Sequence, residues 1–225
     1  MTSLIEKEEA LTLKKRKVAT GELNSCRKFS HLLLDIEGTT TPISFVKEVL
    51  FPYSSEKMGS FLKNHWNEDR VQLLVKELQI QIKKDIEEGI SLPNAAAQVL
   101  SSSDDLIEPL EKYLLWCIDE DRKISPLKKL QGFIWLSGYT NGDLKSAVYD
   151  DVPKAFERLK NEGISISIYS SGSKLAQQLL FKHTGHGDLR KYISTYFDTK
   201  VGNKKETESY QEIKVFDNLA EIYVS

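Results

Sequence analysis

The sequence predicts an α/β fold: a Rossmann-like core built on a parallel sheet, with a helical cap inserted after the first strand. Three observations carry that expectation. His31-Leu32-Leu33-Leu34-Asp35-Ile36 is apolar on both sides of its alternation, the pattern of a strand covered on both faces. Residues 44–137 then repeat apolar side chains at helical spacing. Over residues 150–225 strand patterns alternate with helical ones, so the first strand must join that sheet from the far side of the insertion. The expected division is a charged N-terminal tail (1–29), a core (30–43 with 145–225) and a cap (44–144).

Composition allows such a fold and excludes several others. The chain has 225 residues, 40% of them hydrophobic and 28% charged, with 31 Lys and Arg against 33 Asp and Glu. A chain of that make-up buries a real core, which removes disordered, collagen-like and coiled-coil readings. A net charge of −2 offers no electrostatic case for nucleic acid or an anionic membrane. No segment approaches the ~20 consecutive apolar residues of a membrane span, and the N-terminus lacks the apolar stretch of a signal peptide. Two cysteines, Cys26 and Cys117, make neither a disulfide framework nor a zinc spacing. The expectation is a soluble cytoplasmic protein. The run Lys14-Lys15-Arg16-Lys17 reads either as a nuclear import signal or as a solvated tail.

The elements follow in order. The first strand ends in Glu37-Gly38-Thr39-Thr40-Thr41-Pro42, a turn and helix-cap cluster. Met58, Phe61, Leu62 and Trp66 mark one helix, and Val71, Leu74, Val75, Leu78, Ile82 and Ile86 a second. Residues 89–103 read as a connection of small and polar residues. A third helix is expected to start near Asp104 and to bury Leu106, Leu110, Tyr113, Leu114, Cys117 and Ile118. Pro126 opens a fourth, since proline suits a first helical turn. After Gly142 a helix runs from Asp151 to Leu159 and stops before Gly163. The β-branched Ile164-Ser165-Ile166-Ser167-Ile168-Tyr169 is the next strand, and Ser170-Ser171-Gly172-Ser173 caps the helix after it. Tyr196-Phe197 is a short extended piece, residues 206–213 a helix, and residues 220–224 a last strand.

The chemistry centres on Asp35-Ile36-Glu37-Gly38-Thr39-Thr40. A carboxylate at the carboxyl end of a buried parallel strand lies where open α/β folds bind ligands. The period of a strand puts Asp35 and Glu37 on the same side. One acid of such a pair can attack phosphorus while the other handles protons, and both offer hard oxygens to Mg²⁺. Gly38 and Thr39 would bring backbone N–H groups and a hydroxyl towards the phosphoryl group. The same acids can equally serve as caps for a following helix. Ser170 and Ser171 stand at a helix N-terminus, a natural anion site, although serine is also a routine cap. Lys204 could hold a phosphate as a point charge, or be an exposed lysine without a role. In combination an acidic turn, a hydroxyl turn and a lysine are the parts of an aspartate-dependent phosphotransferase. His183 and His65 lie on apolar helix faces and read as packed, His186 as a loop residue, and Trp66, Trp116 and Trp135 as core.

This order of motifs resembles the haloacid dehalogenase superfamily. Within it the chain is similar to the enolase-phosphatases of methionine salvage, through LLLDIEGTTTPISFVKEVLFPY, LKKLQGFIWLSGY, IYSSGSKLAQQLLF and YFDTKVGNKKETESY. The likeness covers residues 31–213, core and cap alike, and a Glu at the second acid position is typical of that family. It implies a haloacid dehalogenase-type core with Asp35 as nucleophile and Mg²⁺ ligand, and Glu37 as the second acid, counted with the metal site. It implies Ser170 and Ser171 against the substrate phosphate and Lys204 as the phosphate-binding lysine. One Mg²⁺ per subunit would be expected, in a monomer. The substrate would be 2,3-diketo-5-methylthiopentyl-1-phosphate, which is enolised and dephosphorylated to the acireductone 1,2-dihydroxy-3-keto-5-methylthiopentene. The cap would select the sulfur-bearing chain.

After Tyr210 the likeness thins. The family's last motif places an acid directly after a strand like Ala220-Glu221-Ile222-Tyr223-Val224, whereas here Ser225 follows and Asp217 precedes it. Read this way, the chain is a C-terminally shortened product with a weakened metal site and an open edge strand available for self-association. Two alternatives therefore stand beside the enzyme reading: a catalytically impaired binding or dimerising relative, and a phosphatase for another small phosphate ester.

Overall fold

The sheet has four strands, all parallel, in the order β3-β2-β1-β4. The structure, a computed structural model, describes residues 29–101, 105–216 and 222–224. Along the chain, β1 (His31–Leu34) is followed by a π-helical turn, Phe45–Leu50, that runs into α1 (Phe51–His65). Next come α2 (Asp69–Glu87), α3 (Asn94–Leu100), α4 (Ile107–Asp119) and α5 (Ser125–Asn141). The chain then alternates: α6 (Val152–Asn161), β2 (Ser165–Tyr169), α7 (Lys174–Lys182), β3 (Ile193–Phe197), α8 (Thr207–Phe216) and β4 (Ile222–Val224). Parallel neighbours cannot be joined by a tight hairpin, so a helix lies between successive strands of this half. Lys14–Lys17, Cys26, Asp104 and Asp217 lie outside the described residues. Among the described residues no helix is long and apolar enough to cross a membrane.

Two compact units emerge. One is residues Lys47–Leu144; the other joins the described residues up to Val46 to those from Lys145 onward. In the sheet unit, β1 pairs with β2 in the register Leu34↔Ile168, and β2 with β3 in the register Tyr169↔Phe197. Leu32, Leu33 and Leu34 are all buried, as are Ile166, Ser167, Ile168 and Tyr169, the two-sided burial expected of inner parallel strands. Leu33, Tyr169, Phe197 and Ile213 pack together on one side of the sheet.

β1 is shorter than its apolar run suggests. It ends at Leu34 because the carbonyl of Ile36 turns to accept the N–H groups of Thr39, Thr40 and Thr41, at 3.2, 2.9 and 3.0 Å. That carbonyl is committed to the turn, so Asp35 is the first residue beyond the strand. β3 is longer than the Tyr196-Phe197 piece expected, and gains three residues by pairing with β2.

In the helical unit Met58, Leu62, Leu78, Ile82, Leu110, Leu114 and Leu130 are sealed from solvent. Three expectations need correction here. Residues 89–103 contain α3, whose Ala95, Ala96 and Val99 are buried; seven residues are too few to display a period, although an alanine run after Pro93 favours helix. α4 begins at Ile107, and its first N–H is taken by Asp105 Oδ1 at 3.3 Å. Ile86, expected on the inner stripe of α2, is 54% exposed, and Asp85 beside it is only 1% exposed.

That buried acid is held by partners. Asp85 Oδ2 lies 2.7 Å from Arg122 Nη2 and accepts from the Tyr113 hydroxyl at 3.3 Å; Oδ1 accepts from Gln81 Nε2 at 2.8 Å. The Arg122 guanidinium also stands 5.2 Å from the ring centre of Trp116. Cys117 is buried nearby, and burial pushes its thiol up to about 11, which leaves it unreactive. Of the tryptophans, Trp135 is buried and donates from Nε1 to the carbonyl of Leu50 at 2.8 Å, while Trp66 and Trp116 are half-buried at the margin.

Candidate active site

Parallel strands end at one edge of the sheet, and the residues that follow β1, β2 and β3 meet there. Asp35 follows β1, Ser170 follows β2, and the loop after β3 carries Lys204. The backbone leaving β1 folds back at once. Gly38, at φ +80°, donates to the carbonyl of Thr41 at 2.8 Å, a left-handed turn position that suits glycine. This reversal keeps Glu37 beside Asp35 instead of carrying it away.

The Asp35 carboxylate has two different oxygens. Oδ1 accepts from the N–H of Ile36 at 2.7 Å, which orients the group; Oδ2 lies 2.5 Å from Lys204 Nζ. Both side chains are partly shielded, at 30% and 27% exposure, so the pair is less screened than a surface ion pair. Glu37 receives the Ser170 hydroxyl, which lies 3.4 Å from each of its carboxylate oxygens. Burial, followed by the negative charge of Asp35, pushes the Glu37 carboxyl above its ordinary range, against the opposing pull of its own backbone N–H and of Lys204.

The hydroxyl turn is equally constrained. Ser170 is 1% exposed, its Oγ accepts the N–H of Gly172 at 3.1 Å, and Ser173 caps α7 by accepting from Ala176 N at 3.3 Å. Ser171 lies one residue further along and is exposed. Thus Asp35, Glu37, Ser170 and Lys204 touch one another in pairs.

Two supporting residues were not singled out from the sequence. Gln177, 1% exposed, donates from Nε2 to the carbonyls of Gly172 and Phe197, both at 2.8 Å, and so ties the hydroxyl turn to the end of β3. Asp198, 7% exposed, accepts from the N–H of Lys174 at 3.4 Å and of Lys200 at 3.1 Å, linking α7 to the loop that leads to Lys204. Gln177, a polar residue on a helix, looks like a surface residue until its burial is known, whereas Asp198 carried the same signal as Asp35, an acid directly after an extended segment. The histidines stay out of the arrangement. His65 stacks on Phe61 at 4.3 Å and meets Glu68 at 2.5 Å, His186 is exposed, and burial together with Lys182 and Arg190 lowers the imidazole of His183.

Several known proteins share this chain's features. The haloacid dehalogenase-like hydrolase profile matches residues 29–219. Enolase-phosphatase E1 of Drosophila erecta is 47% identical over 184 residues, spanning 81% of this chain and 68% of the fly protein. An Arabidopsis thaliana protein, "Probable bifunctional methylthioribulose-1-phosphate dehydratase/enolase-phosphatase E1", is 46% identical over 183 residues, 81% of this chain and 36% of the plant protein. The crystal structure of the UTR4 protein of Saccharomyces cerevisiae superposes with a TM-score of 0.67 at 33% identity, covering 88% of this chain and 80% of the yeast one. A profile that matches most of the chain, an α/β core of the same kind and near-half identity to the fly protein lead to one conclusion: this chain belongs to the haloacid dehalogenase-like hydrolases, in the enolase-phosphatase E1 family.

Proposed function

We propose that the chain is an enolase-phosphatase that acts on 2,3-diketo-5-methylthiopentyl-1-phosphate through an aspartyl-phosphate. The observation that carries this reading is the meeting of two acids, a buried hydroxyl and a lysine at the carboxyl edge of the sheet, with Asp35 Oδ2 and Lys204 Nζ 2.5 Å apart. The names of the fly and plant relatives support the reaction, that of an enolase-phosphatase, and the plant name adds methylthioribulose-1-phosphate as the compound handled one step earlier. In the plant protein the same chain type is joined to a dehydratase for methylthioribulose-1-phosphate, whose product by loss of water is a diketo phosphate of that kind.

After enolisation of the substrate, Asp35 attacks phosphorus. The bond from phosphorus to the ester oxygen breaks, and that oxygen leaves with its electron pair and takes a proton from Glu37. Water then attacks the acyl phosphate and gives its proton to Glu37, and the phosphorus–Asp35 bond breaks to release orthophosphate and the free carboxylate. Lys204 offsets charge on the phosphoryl oxygens, and the hydroxyls of Ser170 and Ser171 hold them. Since unaided phosphate ester hydrolysis is extremely slow, this fixed electrostatic frame accounts for most of the rate.

The donor set fits Mg²⁺. Asp35 would offer a hard carboxylate oxygen, joined by Glu37 whenever that group is ionised, and Mg²⁺ is commonly held by one or two carboxylates together with substrate phosphate. Among the described residues no group of three or more His, Cys, Asp and Glu side chains gathers to hold an ion. When bound, the ion supplies positive charge against the phosphoryl oxygens. The substrate is a small water-soluble phosphate, so the reading carries a cytoplasmic location and a small-molecule partner with it.

Phosphate release from the diketone phosphate, with Mg²⁺, tests the reading. Asp35→Asn is expected to lower release by on the order of 10,000-fold. A variant that keeps wild-type turnover removes Asp35 as nucleophile.

A further inference from the structure

Lys204 lies in a loop, yet its backbone is gripped as firmly as a helix. Three successive carbonyls, those of Gly202, Asn203 and Lys204, each accept a hydrogen bond from a side-chain hydroxyl. Tyr169 donates to Gly202 at 2.9 Å, Ser209 to Asn203 at 2.8 Å, and Tyr210 to Lys204 at 2.9 Å. The donors come from two elements, the last residue of β2 and the first turn of α8, and bracket the loop from both. The two tyrosine rings pack edge to face with centroids 5.6 Å apart, and the Lys204 ammonium lies 5.9 Å from the ring centre of Tyr169.

This grip is unusual in kind. Backbone groups of a surface loop are ordinarily left to water, whereas here three side-chain hydroxyls take three successive carbonyls. Tyr169 and Ser209 are buried, at 2% and 1% exposure, so the loop is fastened to the interior. Tyr169 also precedes Ser170 directly, so one side chain links the hydroxyl turn to the lysine loop.

We infer that Tyr169, Ser209 and Tyr210 are positioning residues that hold Lys204 at the distance from Asp35 needed to receive a phosphoryl group. The inference rests on the reading of Lys204 as the phosphate lysine. A long, flexible side chain on a loose loop would lose much of its binding energy to ordering, and a fixed backbone removes that loss in advance.

The test is the affinity of the full chain for inorganic phosphate, measured by calorimetry with Mg²⁺, for Lys204→Met, Tyr169→Phe, Tyr210→Phe and Ser209→Ala. The hydroxyl variants are combined with Lys204→Met in double-mutant cycles. Removing one hydroxyl is expected to weaken binding roughly threefold to tenfold, and to do nothing further once Lys204 is gone. Phenylalanine keeps the rings, and thermal melting identifies any variant that loses its fold; Ser209→Ala then carries the test. If the hydroxyl variants bind like wild type while Lys204→Met does not, the positioning role is overturned and the lysine assignment stands. If the hydroxyl effects persist in the Lys204→Met background, the residues act through the fold alone and the inference also falls. If Lys204→Met itself binds like wild type, the lysine assignment falls and takes the inference with it.

Discussion

The hydroxyl of Ser170 lies 3.4 Å from both carboxylate oxygens of Glu37, although 133 positions separate the two residues in the chain. One belongs to the turn after β1, the other to the turn after β2. Their meeting follows from pairing β1 and β2 in the register Leu34↔Ile168, which brings both strand ends to one level. Ser170 is buried and Glu37 half-buried, so the contact is partly shielded from the solvent that would weaken it.

Ser170→Ala removes that contact together with the acceptor for the Gly172 N–H. A hydrogen bond of this length is worth about 0.5–1.5 kcal/mol, so kcat/KM for phosphate release is expected to fall roughly 2- to 10-fold. Steady-state kinetics on the diketone phosphate check it; an unchanged kcat/KM would show that Glu37 does not depend on this hydroxyl.

Gly202 sits at φ +125°, and an added Cβ would run into the Ser209 hydroxyl. Gly202→Ala is therefore expected to displace the lysine loop and cost about 1–3 kcal/mol locally. Phosphate affinity should drop more than the melting temperature does, because the sheet and the helical unit are untouched. Equal losses in both would place the damage in the core instead.

Asp85 and Arg122 form a mostly buried ion pair. Asp85→Ala leaves the guanidinium without its carboxylate and is expected to destabilise the helical unit by about 3–5 kcal/mol. Replacing both, as Asp85→Leu with Arg122→Met, should recover most of that loss, since an apolar pair has no charge to desolvate. Urea unfolding of the three proteins measures it, and a double variant as weak as Asp85→Ala would argue against the charge explanation.

His183 gives a pH dependence of known sign. Burial first, then the charges of Lys182 and Arg190, lower its imidazole below the ordinary 6.5. As pH falls through 6.5 the unfolded chain takes up a proton that the folded one still refuses. Stability therefore declines below that pH and levels off once the folded imidazole also titrates. His183→Gln should remove this part of the decline in thermal melts taken between about pH 5.5 and 7.5, one unit either side of the ordinary histidine value. An unchanged pH profile would assign the decline to other groups.

Much of the architecture was legible because its signals are local. A continuous apolar run in β1, a β-branched alternation in β2, helical stripes in α1, α2 and α4, proline in the first turn of α5 and glycine after α6 each depend on near neighbours in the chain. Asp35 and Glu37 stood out for the same reason, as acids at the end of a strand pattern, while Ser170, after a strand, and Lys204, before a helix start, gained weight only in combination with them. What could not be read depends on distant partners. Asp85 is polar by type, and only Arg122, Tyr113 and Gln81 make its burial tolerable. Gln177 looks like a solvent-facing residue until the carbonyls of Gly172 and Phe197 are found beside it.

By itself, then, the order of residues determined most of the strands and helices, α3 excepted, and which side chains are chemically able to act, since both follow from periodicity and functional groups. Only the tertiary structure decided that Asp35 ends at Lys204 and Glu37 at Ser170, and that three hydroxyls fasten the loop between β3 and α8. Those distances are set by strand register and by buried hydrogen bonds between segments far apart in the chain, and no local pattern encodes them.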